Sequence, residues 1–373
     1  MLQFFYKTKN VIGLILVISP VTGFLFIDKD FVASMILLCA VAAATPLMCT
    51  AFRYIKLKMW LFICGFFACY GTLIMKLSSD SPLSFLGAVL CGIGVGGLLL
   101  ILPPNIAVNW FRKSKTLILG LVWSSSLALG FLWKLFLEGY TYIAVTTGFF
   151  LILISSVFFL ERPPVNYYQK ENPITKGRES SFLKPAVFVA SISAAIGLSI
   201  SLSLLAAYQI QTYDESLSNA LQIQTPLAML FLAISPILIS LFIEKKGIFS
   251  SCILVIFLCE TAVFCLGAYA DTPILLLWGR LITAAVIGAL GVILPILTYY
   301  LYGPANYIES FGRIIFFLPI GLITTLPFQY LAHNKQLDQY EAVIILLILL
   351  VISFLCIFSA WKHRFVILKN KLM

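Results

Sequence analysis

The chain consists of long apolar runs that alternate with short polar segments. A helix needs about 20 residues to cross a hydrocarbon core about 30 Å thick. Runs near or above that length lie at 10–27, 31–52, 59–77, 83–111, 116–138, 141–160, 184–211, 218–243, 248–270, 273–302, 307–331 and 340–361. Lipid offers the backbone no hydrogen-bond partners, so such runs are expected to be helical. The pattern predicts an all-α membrane protein with twelve transmembrane helices.

The composition excludes a water-soluble globular protein. Of 373 residues, 61% are hydrophobic and 11% are charged, whereas soluble domains carry about 25% charged residues. The nine cysteines lie in apolar runs, and His333 and His363 stand alone in polar segments. Zinc sites need clustered cysteine or histidine ligands, so we expect no metal. We also expect no cofactor, because the chain has no phosphate-binding Gly-x-x-x-x-Gly-Lys motif and no soluble domain.

The formal net charge of +10 is unevenly distributed along the chain. If the N-terminus is cytosolic, 19 of the 25 Lys and Arg residues fall in inner segments and three, Lys29, Lys76 and Lys335, fall in outer segments. Cytosolic loops of membrane proteins carry this kind of excess. The distribution predicts cytoplasmic termini in a plasma membrane, or in the inner membrane of a bacterium. We expect the lipid bilayer to be the partner of these cationic segments, and we expect no nucleic-acid partner.

One segment differs in composition from the chain around it. Residues 161–183 contain three prolines, mixed charge and few apolar side chains. A linker between two bundles that move relative to each other has this composition, and so does a simple long loop. The segment predicts an N-terminal six-helix bundle over 1–160, a cytoplasmic linker over 161–183 and a C-terminal six-helix bundle over 184–373.

A weak internal repeat supports two related halves. Residues 91–94 in the fourth run are echoed by residues 285–288 in the tenth, an offset of 194, and Gly97 falls opposite Gly291. Prolines follow in both copies. Corresponding spans interrupted by glycine and proline are typical of secondary transporters, whose site lies between the halves near the midplane.

The helix count, the division into six and six, and two local motifs resemble the major facilitator superfamily. After the eighth run, Ser240 to Ile248 is similar to the Gly-x-x-x-Asp-Arg-x-Gly-Arg gating loop of that family, which implies gating roles for Glu244, Lys245 and Gly247. The N-half counterpart, Thr50 to Lys58, keeps the cations but lacks the acidic residue and the second glycine. A positively charged membrane anchor is the favoured interpretation of that copy.

A second motif lies in the fourth and fifth runs. The glycines of 92–97, the prolines at 103 and 104, and the segment 110–115 resemble the anion-carrying branches of the family, in particular cyanate-type and oxalate/formate-type carriers. Closely spaced glycines are expected to let the fourth and fifth helices approach each other. The prolines break the hydrogen-bond ladder and can expose carbonyl groups to a cavity.

Four ionisable residues within the runs are functional candidates, because a charge inside the bilayer is costly. The family resemblance implies that Arg280 lines the central cavity, where its guanidinium can bind a carboxylate; a structural role fits this residue equally well. Arg313 follows Glu309 by four residues, a spacing that favours a local ion pair over substrate binding. Lys134 can reach the interface. Glu260 is a candidate for proton coupling, although a structural carboxyl group is the favoured interpretation.

Uncharged polar residues in the runs complete the candidate site. The family resemblance places the following in helices that line the cavity: Asn105, Ser124, Ser125, Ser126, Ser199, Ser203, Tyr208, Gln209, Gln222, Gln224 and Thr283. Most serine and threonine side chains in spans bond to their own backbone. The substrate-binding set is therefore predicted as Arg280, Asn105, Ser125, Gln222, Thr283, Arg313 and Lys134.

The function that these features favour is secondary active transport of a small organic anion of the carboxylate type, coupled to protons or to exchange. A proton-driven exporter of a hydrophobic or siderophore-like compound is the alternative, and a transport-inactive sensor is another. The runs contain no histidine and no acidic cluster, so we do not expect an enzyme. We expect a small-molecule substrate and a monomer.

Overall fold

The computed structural model describes residues 2–25, 31–78, 81–111, 114–161, 183–213, 215–267, 273–318, 321, 344, 347–348 and 350–359. Within these ranges the chain forms helices joined by short turns. The helices are α1 (Leu2–Leu25), α2 (Phe31–Tyr54), α3 (Leu57–Leu77), α4 (Leu83–Val95), α5 (Leu102–Trp110), α6 (Lys115–Gly139), α7 (Thr141–Ile154), α8 (Leu183–Tyr213), α9 (Glu215–Lys246), α10 (Ile248–Gly267), α11 (Pro273–Ile315) and α12 (Leu350–Ser359).

The helices match the predicted spans in order. Helices α4 and α5, joined by a π-helical segment at Gly96–Ile101, together form the fourth span, and a second π-helical segment, Ser155–Phe159, extends α7. Eight helical stretches of the described residues are long and apolar enough to cross a membrane. Of the predicted eleventh and twelfth spans, the structure describes residues 307–318, 321, 344, 347–348 and 350–359.

The contacts within the chain define two compact units. Unit 1 comprises Met1–Arg178 together with Thr298–Phe316, and unit 2 comprises Glu179–Leu297 together with Phe317–Met373. Helix α11 therefore contributes its first part to unit 2 and its last part to unit 1. The proposed bundle boundaries at 160 and 184 stay predictions.

Helix α11 changes direction at Gly303. This residue has φ 75° and ψ 176°, a left-handed φ that L side chains rarely adopt and glycine adopts without strain. Pro304 follows and has no N–H group to continue the hydrogen-bond ladder. The break ends the predicted tenth span near its expected limit of residue 302.

The glycines of the fourth span bring α4 against α2 and α3. A Cβ atom at Gly94 would lie 2.2 Å from the backbone nitrogen of Ala68 in α3, and one at Gly92 would lie 2.7 Å from the carbonyl oxygen of Leu37 in α2. The prediction that these glycines pack against the fifth predicted span, which is α6, is wrong. Small residues permit close packing on any face, so their spacing does not identify the partner helix.

Gly288 of α11, in the second copy of the predicted repeat, packs closely on α9, where an added Cβ would be 2.3 Å from the carbonyl oxygen of Leu232. In the fourth span, Gly92 and Gly96 both pack on α2, where an added Cβ would be 2.7 Å from the carbonyl oxygen of Leu37 and 2.8 Å from that of Val41. The alignment of the two copies of the repeat stays a prediction.

Candidate functional site

Arg280 is a charged residue that bonds to a neighbouring helix. It lies in α11 about 10 Å along the helix from Pro273, at a rise of 1.5 Å per residue. Its Nε donates a hydrogen bond to Ser203 Oγ in α8 over 2.7 Å, and its Nη2 donates to the Ser203 carbonyl oxygen over 3.0 Å. Both side chains are half-buried. Both acceptors are oxygen atoms of Ser203, and together they orient the guanidinium.

The residues beside Arg280 fix the position of this part of α11. An added Cβ at Gly279 would lie 2.6 Å from the Leu266 side chain, so the helix approaches α10 closely there. Thr283, a predicted substrate ligand, is buried, and its Oγ1 donates to the Gly279 carbonyl oxygen over 2.8 Å. Its hydroxyl proton is therefore used within its own helix, as expected for most hydroxyls in spans.

Three of the predicted ligands in unit 1 lie on α5 and α6. Asn105 is 6% exposed, and its Oδ1 accepts a hydrogen bond from Asn109 Nδ2 over 2.9 Å. Ser125 and Lys134 are half-buried in α6. Ser126 is fully buried, and its carbonyl oxygen accepts a hydrogen bond from the Thr22 hydroxyl over 2.8 Å, which ties α6 to α1.

Arg313 belongs to an ion-pair network. Its Nη2 is paired with Glu309 Oε1 one helical turn earlier, as the i, i+4 spacing favours. The same carboxylate contacts Arg53 of α2, with 3.4 Å between Arg53 Nη1 and Glu309 Oε2. All three side chains are more than a third exposed. Arg53 belongs to the segment Thr50 to Lys58, the N-half counterpart of the gating motif, which lacks an acidic residue of its own. Glu309 provides an acidic partner for this segment.

The remaining candidates lie in unit 2. Glu260 is half-buried in α10, and no hydrogen bond or ion pair joins it to another residue of the described part of the chain. Glu244 and Lys245 are exposed at the end of α9. Gly247 has φ 87° at the sharp turn into α10, a backbone conformation that glycine adopts without strain. The side chains of Tyr208, Gln209, Gln222 and Gln224 lie outside the described part of the chain.

The described residues contain no group of three or more His, Cys, Asp or Glu side chains that could hold a metal ion. That the protein binds no metal stays a prediction. The described cysteines other than Cys356 are buried in helix contacts.

Sequence reasoning missed a polar cluster where α7 meets α1. Asn10 of α1 is fully buried, and its Oδ1 accepts a hydrogen bond from the Glu161 backbone N–H over 3.0 Å. Lys9 Nζ lies 2.8 Å from Glu161 Oε1, and Trp110 Nε1 donates to the Glu161 carbonyl oxygen over 2.8 Å. The polar pair Lys9 and Asn10 at the start of the first apolar run is the available signal, but their partner lies about 150 residues away.

Comparison with known proteins assigns the fold. A scan against family models and a search of curated proteins found no match. Among solved structures, the chain is similar to the human organic anion transporter MFSD10 (TETRAN), with a TM-score of 0.65 and 14% identity, over 95% of this chain and 99% of that chain. It is also similar to FucP, a major facilitator superfamily transporter in the outward conformation, with a TM-score of 0.64, 13% identity, and 95% and 97% coverage.

A third similar structure is the proton:xylose symporter XylE bound to 6-bromo-6-deoxy-D-glucose. Its TM-score is 0.63 at 13% identity, over 96% of this chain and 95% of that chain. The chain thus has the major facilitator fold, and the predicted all-α architecture is confirmed. At these identities the likeness defines the fold alone. The proposed closeness to cyanate-type or oxalate/formate-type carriers stays a prediction.

Proposed function

We propose that this chain is a secondary transporter that works by alternating access and carries a small organic anion with a carboxylate group. The observation that carries the proposal is the Arg280 guanidinium, held within an otherwise apolar span by two hydrogen bonds to Ser203. A charge at such a position is costly to maintain. A cost of this kind is expected where the charge serves binding or transport.

The chemistry of arginine favours a carboxylate. A guanidinium is planar, stays protonated and offers paired N–H donors that match the two oxygens of a carboxylate. Low polarity around the site strengthens this attraction relative to water. A similar structure, MFSD10, is described as an organic anion transporter. XylE, which shares the fold to a similar degree, carries a neutral sugar, so the substrate class is argued from Arg280 and not from the fold.

The ion pairs around Glu309 are weak enough to break and re-form during a transport cycle. Contacts that form and break during a transport cycle must be weak enough to exchange, and exposed ion pairs contribute about 0 to 1 kcal/mol. The Arg53–Glu309 and Arg313–Glu309 pairs are of this exposed kind. We propose that this network is one of the contacts that change during the cycle, and that Glu244 and Lys245 belong to the corresponding loop of unit 2.

A thermal-shift experiment on the purified protein tests the substrate class. The ligands are acetate, oxalate, succinate and benzoate, with acetamide and benzamide as neutral isosteres, against the wild type, Arg280→Ala and Lys76→Ala. Lys76 is an exposed cation near the end of α3 and serves as a matched charge control. A ligand at 100 times its Kd stabilises the folded state by about 2.7 kcal/mol.

We expect at least one carboxylate, and neither amide, to raise the melting temperature of the wild type and of Lys76→Ala. We expect no such rise for Arg280→Ala. Equal stabilisation by the amides, or full stabilisation of Arg280→Ala, would contradict the proposed anion site.

A further inference from the structure

Ser203 differs from several hydroxyl residues of the described helices, whose hydroxyls bond to their own backbone. The hydroxyls of Thr45, Thr72 and Thr283 each donate to the carbonyl oxygen four residues earlier in their own helix, over 2.6, 2.7 and 2.8 Å. The Ser203 Oγ instead accepts a hydrogen bond from Arg280 Nε in another helix, and the Ser203 carbonyl oxygen accepts a second one from Nη2. One residue of α8 thus binds two nitrogens of the same guanidinium.

We infer that Ser203 is a positioning residue that sets the orientation of the Arg280 guanidinium toward a carboxylate substrate. The inference rests on the proposed anion site. Nε and Nη2 lie on one edge of the planar group, so two acceptors on one residue fix both the direction of the side chain and the rotation of its plane. A single acceptor would leave the plane free to turn about one bond.

Fixing Arg280 to α8 also keeps its charge within the span. Long cationic side chains near helix ends extend toward the interface and place their charge in water. Arg280 lies about 10 Å along α11 from Pro273, close enough to the helix start for this alternative to compete. The two bonds to Ser203 hold the guanidinium against the neighbouring helix instead.

Orientation matters because paired recognition of a carboxylate depends on coplanar donors. When the plane of the guanidinium is fixed before binding, substrate binding does not lose free energy by ordering this side chain. Removing the Ser203 hydroxyl takes away the Nε acceptor and leaves the carbonyl acceptor of the backbone. A hydrogen bond to a charged group is among the stronger ones in proteins, so its loss is expected to weaken substrate binding about tenfold.

The test compares Ser203→Ala, Ser203→Thr, Ser193→Ala and Arg280→Ala in proteoliposomes. Ser193 lies on the same helix, is buried, and donates its hydroxyl to its own backbone at Ala190 over 3.0 Å, so Ser193→Ala is a matched control. The probe is the radiolabelled carboxylate, among acetate, oxalate, succinate and benzoate, that the wild type takes up fastest. The readouts are the half-saturating concentration, the maximal rate, and inhibition by the matching amide.

We expect Ser203→Ala to raise the half-saturating concentration about tenfold with a smaller change in maximal rate, and to narrow the preference for carboxylate over amide. We expect Ser203→Thr, which keeps the hydroxyl, to restore both values, and Ser193→Ala to resemble the wild type. If Ser203→Ala does not fold, Ser203→Cys is used in its place, because its thiol has a similar size and is a weak acceptor.

The outcomes separate the two ideas. Unchanged uptake by Arg280→Ala would overturn the proposed anion site itself. Loss of uptake in Arg280→Ala together with wild-type selectivity in Ser203→Ala, or in Ser203→Cys, would overturn the positioning role and leave the anion site standing. A narrowed selectivity that Ser203→Thr does not restore would also contradict the positioning role.

Discussion

Asn10 joins the end of the sixth predicted span to α1, and its replacement by alanine should open this junction. The side chain is fully buried. Its Oδ1 accepts the Glu161 backbone N–H over 3.0 Å, and its Nδ2 donates to the Tyr6 carbonyl oxygen over 2.8 Å. Asn10→Ala removes both bonds and leaves the Glu161 N–H without its acceptor.

The size of the effect follows from burial. Each hydrogen bond contributes about 1 kcal/mol net, and a buried donor left unsatisfied costs about 1 to 3 kcal/mol. The Lys9–Glu161 ion pair, with side chains 20% and 44% exposed, adds at most about 1 kcal/mol once solvent screening is counted. We therefore expect Asn10→Ala to destabilise the junction by about 2 to 4 kcal/mol, more than the loss of the ion pair in Lys9→Ala.

Two measurements check this expectation. The first is the thermal unfolding of Asn10→Ala compared with Asn109→Ala, a half-buried asparagine that makes a single side-chain bond to Asn105. The second is cleavage by a glutamate-specific protease after Glu161, mapped by mass spectrometry. Local opening that becomes easier by about 2 kcal/mol makes cleavage about 30 times faster when opening precedes cleavage.

Either of two results would show that Asn10 is not the main contact of this junction. One is an Asn10→Ala protein that melts no lower than Asn109→Ala. The other is a rate of cleavage after Glu161 that stays at the wild-type value in Asn10→Ala but rises in Lys9→Ala, because the ion pair would then be the main contact.

Three further changes have defined outcomes. Gly94→Ala places a Cβ 2.2 Å from the Ala68 nitrogen, so we expect a large loss of folded protein in detergent, while Gly139→Ala, which meets nothing within 4 Å, should express like the wild type. Glu309→Gln removes the charge shared by two exposed ion pairs; we expect thermal stability to fall by less than about 1 kcal/mol, less still in high salt. Gly303→Ala has open space but a left-handed φ, so circular dichroism melts should show a loss of about 1 kcal/mol from backbone strain alone.

Much of the fold follows from hydrophobicity along the chain. The apolar runs identified the order of the helices through α11, because a bilayer admits few alternatives to a helix. The ends of the helices were less predictable. Helix α8 ends at Tyr213, two residues beyond the predicted limit of 211, and α9 begins at Glu215, before the predicted start at 218. Hydrophobicity marks the part of a helix that lies in the membrane, and helical backbone can continue past it.

Contacts between residues distant in sequence could not be predicted from the sequence. The spacing of Glu309 and Arg313 predicted their ion pair, because neighbours on one helix face are set by its period. The contacts of Glu309 with Arg53, and of Glu161 with Asn10, depend on how helices pack. Glycine spacing likewise predicted close packing and not the partner helix.

Arg280 is proposed to bind the carboxylate of a transported substrate. Counterflow in proteoliposomes tests it most directly: vesicles are loaded with an unlabelled carboxylate and diluted into the same labelled compound, with acetate, oxalate, succinate and benzoate tried in turn. We expect transient accumulation of at least one of them by the wild type and by Lys76→Ala, and none by Arg280→Ala. Accumulation by Arg280→Ala equal to that of the wild type would contradict it.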